Sequence, residues 1–283
     1  MRTLILIATI LTCSESVLGA DDGYVPMTVE PAGIVFVPVF INGQGPFPFV
    51  IDTGSNRTAL SADLAHALEV PIVAKTEVIG VTGSEYRPVA RLTASIGTST
   101  PVSVLASIVS PEKLHSATGA ARGISGQDLL MTLNYTLDYK HQRFMFSLPE
   151  ARNGSRIELP LEIEEGRVLL ALPSRAGQPS VRMVPDSGST MFVVFDRGGQ
   201  PPFVMESISG AMEVGTITST QTVPMVRLRE VRLKMLTLRD QMAAIVRRSN
   251  KTGPDIDALL PLRIFETVAF DMERLRMIVK PRR

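Results

Sequence analysis

The sequence predicts a mainly β chain: two lobes of β-barrel type related by a pseudo-two-fold axis, with a few short helices. Three observations carry this expectation. Short runs of Val, Ile, Leu and Phe alternate with turn residues, and few stretches keep a helical period. An apolar run ending in Asp52-Thr53-Gly54-Ser55 returns as one ending in Asp186-Ser187-Gly188-Ser189. The flanks repeat as well. At the spacing of the two aspartates, Val25-Pro26 falls on Leu159-Pro160, Glu30 on Glu164 and Gly43-Gln44 on Gly177-Gln178. Further on, Pro88-Val89-Ala90-Arg91-Leu92 matches Pro224-Met225-Val226-Arg227-Leu228, and Thr136-Leu137-Asp138 matches Ala269-Phe270-Asp271. Two copies are too few for a solenoid, so they fit paired lobes.

Residues 33–41 read as a strand and 47–51 as its return. Asn42-Gly43 between them is a strong signal for a tight hairpin turn. Pro46 and Pro48 mark an edge or an irregular entry. Residues 61–68 read as a short helix with Ser61 at the N-cap. Residues 71–81 and 85–96 form a hairpin whose tip, Thr82-Gly83-Ser84, is small and flexible. Residues 102–109 are a strand, 111–123 a loop of small residues and 127–133 a short helix. Residues 135–139 and 144–147 close the first copy. In the second copy, 156–163 and 167–172 flank the turn Glu164-Glu165-Gly166. Residues 181–184 lead into Asp186 and 191–195 lead away. Residues 212–222 and 223–238 form a long hairpin-like pair, and 241–247 is a strand or a short helix. Residues 257–265 look helical, and 267–270 with 275–279 close the copy. The seam falls at 149–156, where Asn153-Gly154-Ser155 signals a turn or linker. The expected division is a lobe over 21–150 and a lobe over 151–283, preceded by residues 1–20.

Residues 1–20 read as a secretory signal: Arg2 at the start, an apolar run at 4–11, and Leu18-Gly19-Ala20 before the cleavage point. The run is short for a membrane span, so no stable membrane insertion is expected after cleavage. The single cysteine, Cys13, lies inside this segment, and the mature chain would hold no disulfide. Asn-x-Ser/Thr sequons stand at Asn56, Asn134, Asn153 and Asn250, and a glycan at Asn56 would crowd the Asp52 loop. Both features point to a bacterial periplasm or to secretion. A net charge of +1 argues against a partner held by nucleic-acid phosphates, and the absence of tryptophan argues against a stacking platform.

Paired Asp-Ser/Thr-Gly triplets have a specific chemistry. Two carboxyl groups a hydrogen bond apart cannot both ionise cheaply, so they share a proton. One can take a proton from a water while the other gives one to a carbonyl oxygen, with no metal and no cofactor. Thr53 and Ser187 supply hydroxyls that can bond across the pseudo-dyad. Gly54 and Gly188 let backbone approach closely. Ser55 and Ser189 are read as loop scaffolding, because no Gly-x-Ser-x-Gly elbow is present. His66, His115 and His141 are scattered, so no metal site is expected.

These residues resemble the retropepsin/pepsin superfamily of aspartic peptidases. Phe-Val-Ile-Asp-Thr-Gly-Ser-Asn-Arg-Thr-Ala-Leu at residues 49–60 fits that family's active-site pattern throughout. Gly123-Ile124-Ser125-Gly126-Gln127-Asp128-Leu129-Leu130 resembles the segment and helix that follow. The resemblance implies Asp52 and Asp186 as the catalytic pair. It implies a flap at Val81, Thr82, Gly83 and Ser84, and a peptide or protein substrate. Retropepsins usually assemble two chains, whereas this chain carries both copies, so a monomer is expected and a homodimer is the alternative. Three departures stand out. Pro185 precedes the second aspartate, Leu259 falls where the second copy should match Gly126, and no flap tyrosine is evident, although Tyr86 lies near the tip. The expected activity is an aspartic endopeptidase. Its competitor is a non-catalytic peptide-binding protein on the same fold with a decayed second lobe.

Overall fold

A computed structural model describes residues 23–30, 33–81, 83–149, 156–172, 180–198, 202–215, 218, 220–247 and 255–282. The expected signal at 1–20, most of the seam and Thr82 lie outside these residues.

The chain is mainly β. β1 (Tyr24–Pro26) and β2 (Thr28–Val29) lead into β3 (Val35–Ile41), and β4 (Gln44–Ile51) returns along β3. Asn42 and Gly43 join them with φ of 50° and 75°, the positive pair a two-residue hairpin needs. β3 is apolar almost throughout rather than alternating, because both its faces are covered. There follow β5 (Ala59–Ser61), α1 (Ala62–Ala67), β6 (Ile72–Ile79), β7 (Ser84–Ile96) and β8 (Val102–Val109). Ser61 has the extended backbone of an N-cap, but its side chain makes no cap bond.

The expected loop at 111–123 is corrected. It holds α2 (Pro111–Thr118), started by Ser110, whose Oγ accepts from the Lys113 N–H, and by Pro111 at the first turn. Gly119 ends it at φ 70°. β9 (Gly123–Ser125), α3 (Gln127–Leu130), β10 (Tyr135–Asp138) and β11 (Arg143–Met145) complete the first half.

The second half contains β12 (Ile157–Glu164), β13 (Arg167–Leu172), β14 (Val181–Asp186) and β15 (Phe192–Asp196). Next come β16 (Met205–Gly215), β17 (Thr220–Leu233) and β18 (Leu236–Arg247). The expected long pair is therefore three strands. β17 and β18 are joined at Lys234-Met235, where Lys234 takes φ 54°. The expected helix at 257–265 is instead β19 (Ala258–Pro261) and a 3-10 turn, Leu262–Ile264. A four-residue apolar run fits either state, and parallel pairing with β14 decides it. β20 (Phe265–Asp271) and β21 (Arg276–Pro281) end the chain.

The repeat extends to topology. The first sheet contains the order β4-β9-β5-β8-β7-β6, and the second contains β14-β19-β15-β18-β17-β16. β4 runs parallel to β9 as β14 does to β19, and β5 parallel to β8 as β15 does to β18. Register makes the correspondence residue by residue. Phe49 faces Gly123 and Met183 faces Ala258, each three positions before its aspartate. Leu259 is thus the counterpart of Ile124, and Pro261 that of Gly126, correcting the expected match of Leu259 to Gly126.

Two small apolar clusters follow the same correspondence: Phe36, Val50, Ala59 and Ile124 in one, Leu169, Val184, Val193 and Leu259 in the other. Strands from before and after the seam share the remaining part of the larger sheet, in the order β1-β11-β10-β20-β21-β12. There Tyr135 stacks between Phe144 (centroids 5.3 Å apart) and Phe270 (4.9 Å). Such ring pairs contribute about 0.5–1.5 kcal/mol each beyond their buried area. This shared sheet fixes the two halves against one another, and so fixes the distance between the ends of β4 and β14.

Candidate active site

β14 ends on Asp186 and β4 ends one residue before Asp52, and the two loops that follow meet. The loops are pinned by four reciprocal hydrogen bonds. The Thr53 Oγ1 hydroxyl donates to the Pro185 carbonyl (2.8 Å), and the Ser187 Oγ hydroxyl donates to the Ile51 carbonyl (2.6 Å). The Ser187 N–H donates to Thr53 Oγ1 (2.9 Å), and the Thr53 N–H donates to Ser187 Oγ (3.1 Å). Both side chains are buried. Pro185 departs from the usual hydrophobic residue, yet the cross-loop bond uses its carbonyl, an acceptor that proline retains.

The glycines are where close approach demands them. A Cβ on Gly54 would lie 2.5 Å from Asp186 Cγ, and one on Gly188 would lie 2.9 Å from Asp52 Cγ. Each aspartate thus packs on the glycine of the other loop. The two carboxyl groups are close enough to act on each other's acidity. Asp52 Oδ1 also accepts from the N–H groups of Gly54 and Ser55 (3.0 Å each), and Asp186 Oδ1 from the N–H of Gly188 (2.8 Å). The hydroxyls of Ser55 and Ser189 turn away to the carbonyls of Arg57 and Met191 (2.9 and 2.7 Å). Each bond lies within the serine's own loop.

The two carboxyls differ in acidity. Burial raises the pKa of Asp52 above the ordinary value of 3.8, against the pull of two N–H bonds, the Asp186 side chain and the Arg167 charge. Asp186 is raised well above it, by burial and by the negative charge of Asp52. Both shifts favour a proton shared between the two carboxyls. These are properties of the pair.

Sequence reasoning missed part of the support. Gln127 Nε2 donates to the Thr53 carbonyl (2.8 Å), and Asp128 Oδ1 accepts from Thr58 N–H (2.8 Å) and Thr58 Oγ1 (2.7 Å). In the second half the counterparts are Leu262, Arg263 and Phe192, and neither Leu262 nor Phe192 has a side-chain polar atom to repeat the bonds of Gln127 and Thr58. The family-like segment at 123–130 pointed to these residues without assigning them roles.

A cavity of about 440 Å³ opens over the pair. Counterparts from the two halves line it: Val50 and Val184, Ala59 and Val193, Ile124 and Leu259. Val81 of the expected flap lines it too, together with Glu77, Val78, Ile79 and Gly80. Gly83 and Ser84 do not. The Gly83 carbonyl accepts from Gly80 N–H (2.7 Å) and Ser84 Oγ bonds Glu77 Oε1 (2.7 Å), which closes the hairpin on itself. A second hairpin, β16–β17, meets the first: the Thr218 side chain fills the space beside Gly80, and Val81 packs on the second half's apolar cluster. Val214 and Gly215 of that hairpin also line the cavity. The spacing that aligns Pro88 with Pro224 would have found this second hairpin.

Residues 37–128 match a family model described as aspartyl protease. That match is to the aspartic peptidase superfamily. The matched segment covers less than half of the chain. It takes in Asp52, its loop and the first hairpin, and ends before Asp186. No curated protein matches the chain. The match supports a peptidase hydrolase as the broad class. Among the described residues, no group of three His, Cys, Asp or Glu could hold a metal ion, and no helix is long and apolar enough to cross a membrane.

Proposed function

We propose that the chain is an aspartic endopeptidase whose two halves act as paired lobes within one monomer. The observation that carries this reading is the meeting of Asp52 and Asp186 in one cavity, each packed on the glycine of the other's loop. A water between the carboxyls gives a proton to the charged member. Its oxygen attacks the scissile carbonyl carbon, while the protonated member donates to the carbonyl oxygen. The resulting gem-diol collapses as a proton passes to the leaving amine. An extended peptide lies in the cavity, and the two hairpins pair with its backbone as added strands. Residues 1–20 direct the chain to the periplasm or outside the cell and are removed.

The test is mass-spectrometric detection of cleavage products from unstructured peptides incubated with the purified mature chain at acid and neutral pH. Cleavage is expected, and Asp52→Asn is expected to abolish it. Unchanged cleavage by Asp52→Asn contradicts the reading. The replacement of Gln127 and Thr58 by Leu262 and Phe192 in the second half gives a second reading its footing: a peptide-binding protein without turnover. Binding that persists in both aspartate variants, with no product from the native chain, favours it.

A further inference from the structure

Several pairs of counterparts line the cavity, and one such pair differs sharply in chemistry. β3 and β13 run beside β4 and β14 in matching register: Val37 faces Phe49, and Leu170 faces Met183. Three residues earlier stand Ile34, just before β3, and Arg167, the first residue of β13, which are therefore counterparts. Both line the cavity. One side of the cleft thus offers a branched alkyl group and the other a guanidinium. Arg167 is half-buried. Its charge reaches Asp52, and burial pulls its own pKa down. Among the described residues no carboxylate lies within ion-pair distance of it, although Glu165 two positions earlier is near enough to favour its charged form. The turn carrying it is set against the Asp52 loop, with the Asn56 side chain beside Gly166.

A desolvated arginine without a carboxylate at contact distance is an incomplete ion pair. An incoming carboxylate completes it with directed, charge-assisted hydrogen bonds. We propose that Arg167 is a specificity-determining residue: on the Asp52 side of the scissile bond it receives an Asp or Glu side chain of the substrate, while Ile34 receives an apolar side chain on the other side. This rests on the peptidase reading for its chemistry but not for its binding.

The experiment is a positional scan of one unstructured peptide, replacing each residue in turn by Glu or by Gln. Cleavage of each pair is compared in the native chain, Arg167→Met and Arg167→Lys. At one position the native chain should prefer Glu over Gln by about tenfold, the size of one charge-assisted hydrogen bond. Arg167→Met should bring that ratio to about one, and Arg167→Lys should keep part of it, since it keeps the charge but not the fork. Each ratio is taken within one protein, so a partly folded variant still reads correctly. The same ratio measured as peptide binding to Asp52→Asn by fluorescence anisotropy separates the two proposals. A Glu preference in binding without any cleavage by the native chain supports this subsite and sinks the peptidase. Cleavage with no Glu preference at any position, or a preference unchanged in Arg167→Met, overturns the subsite alone.

Discussion

Thr53 and Ser187 bond each other twice across the loops, each accepting on its hydroxyl from the other's backbone N–H (2.9 and 3.1 Å), while each hydroxyl donates to a carbonyl of the opposite strand. Neither loop can shift without breaking bonds belonging to the other. Thr53→Val keeps the volume and removes the hydroxyl, leaving the Pro185 carbonyl and the Ser187 N–H buried without their partner. Orphaned buried groups cost about 1–3 kcal/mol each. The expected outcome is a urea midpoint clearly below the native one, with Thr53→Ser near native. A Thr53→Val midpoint equal to native would mean the cross-loop bonds hold nothing.

Gly54 faces the Asp186 carboxyl and Gly188 faces that of Asp52, at 2.5 and 2.9 Å from a hypothetical Cβ to the carboxyl carbon. Gly54→Ala must push the carboxyls apart. The expected result is a loss of peptide cleavage on the order of 100-fold, the scale for misplacing reacting groups by about 1 Å, with a native circular dichroism spectrum. Gly188→Ala should do the same less severely, since its space is larger.

Acidity of the pair sets a pH dependence. A carboxyl whose pKa is raised by folding binds its proton more tightly in the folded chain. Its contribution to stability is fully present below the unfolded value near 3.8 and is lost as pH rises from there through the raised folded value. Asp186→Asn removes the titration. It should therefore unfold at higher urea concentration than the native chain at pH 7, and the gap should close toward pH 4. A gap that widens on acidification would contradict the raised pKa of Asp186.

The hairpins meet where Thr218 packs against Gly80. Gly80→Val should force the tips apart and expose the cavity. Amide exchange over residues 78–81 should speed up, and KM should rise more than kcat falls, because closure orders the substrate rather than reacting with it. Unchanged exchange would show that the tips do not depend on each other.

Much of this was legible in the sequence because the chain says it twice. The Asp-Thr-Gly and Asp-Ser-Gly loops, the strands entering them and the Asn42-Gly43 turn rest on local chemistry, and local chemistry is written in neighbouring residues. α2 was also written locally, in Ser110, Pro111 and Gly119, but the small residues around them read more simply as a loop. β19 was not written locally at all. Ala258-Leu259-Leu260-Pro261 becomes a strand only because β14 offers it an edge. Arg167 was invisible for a related reason. Its importance comes from standing opposite Ile34 across the cleft, which depends on a register slip of one residue between β3 and β13 that the fixed spacing of the aspartates hides.

The central claim is that one polypeptide supplies both carboxyls of a single reacting pair. It is tested most directly by separating the monomer by size, confirming its mass by light scattering, and assaying that fraction for peptide cleavage beside monomeric Asp186→Asn. The account predicts turnover by the native monomer and a fall on the order of 10³-fold in the variant, the scale for removing a general acid. A native monomer that is silent while a dimer cleaves, or a variant that cleaves at the native rate, would contradict it.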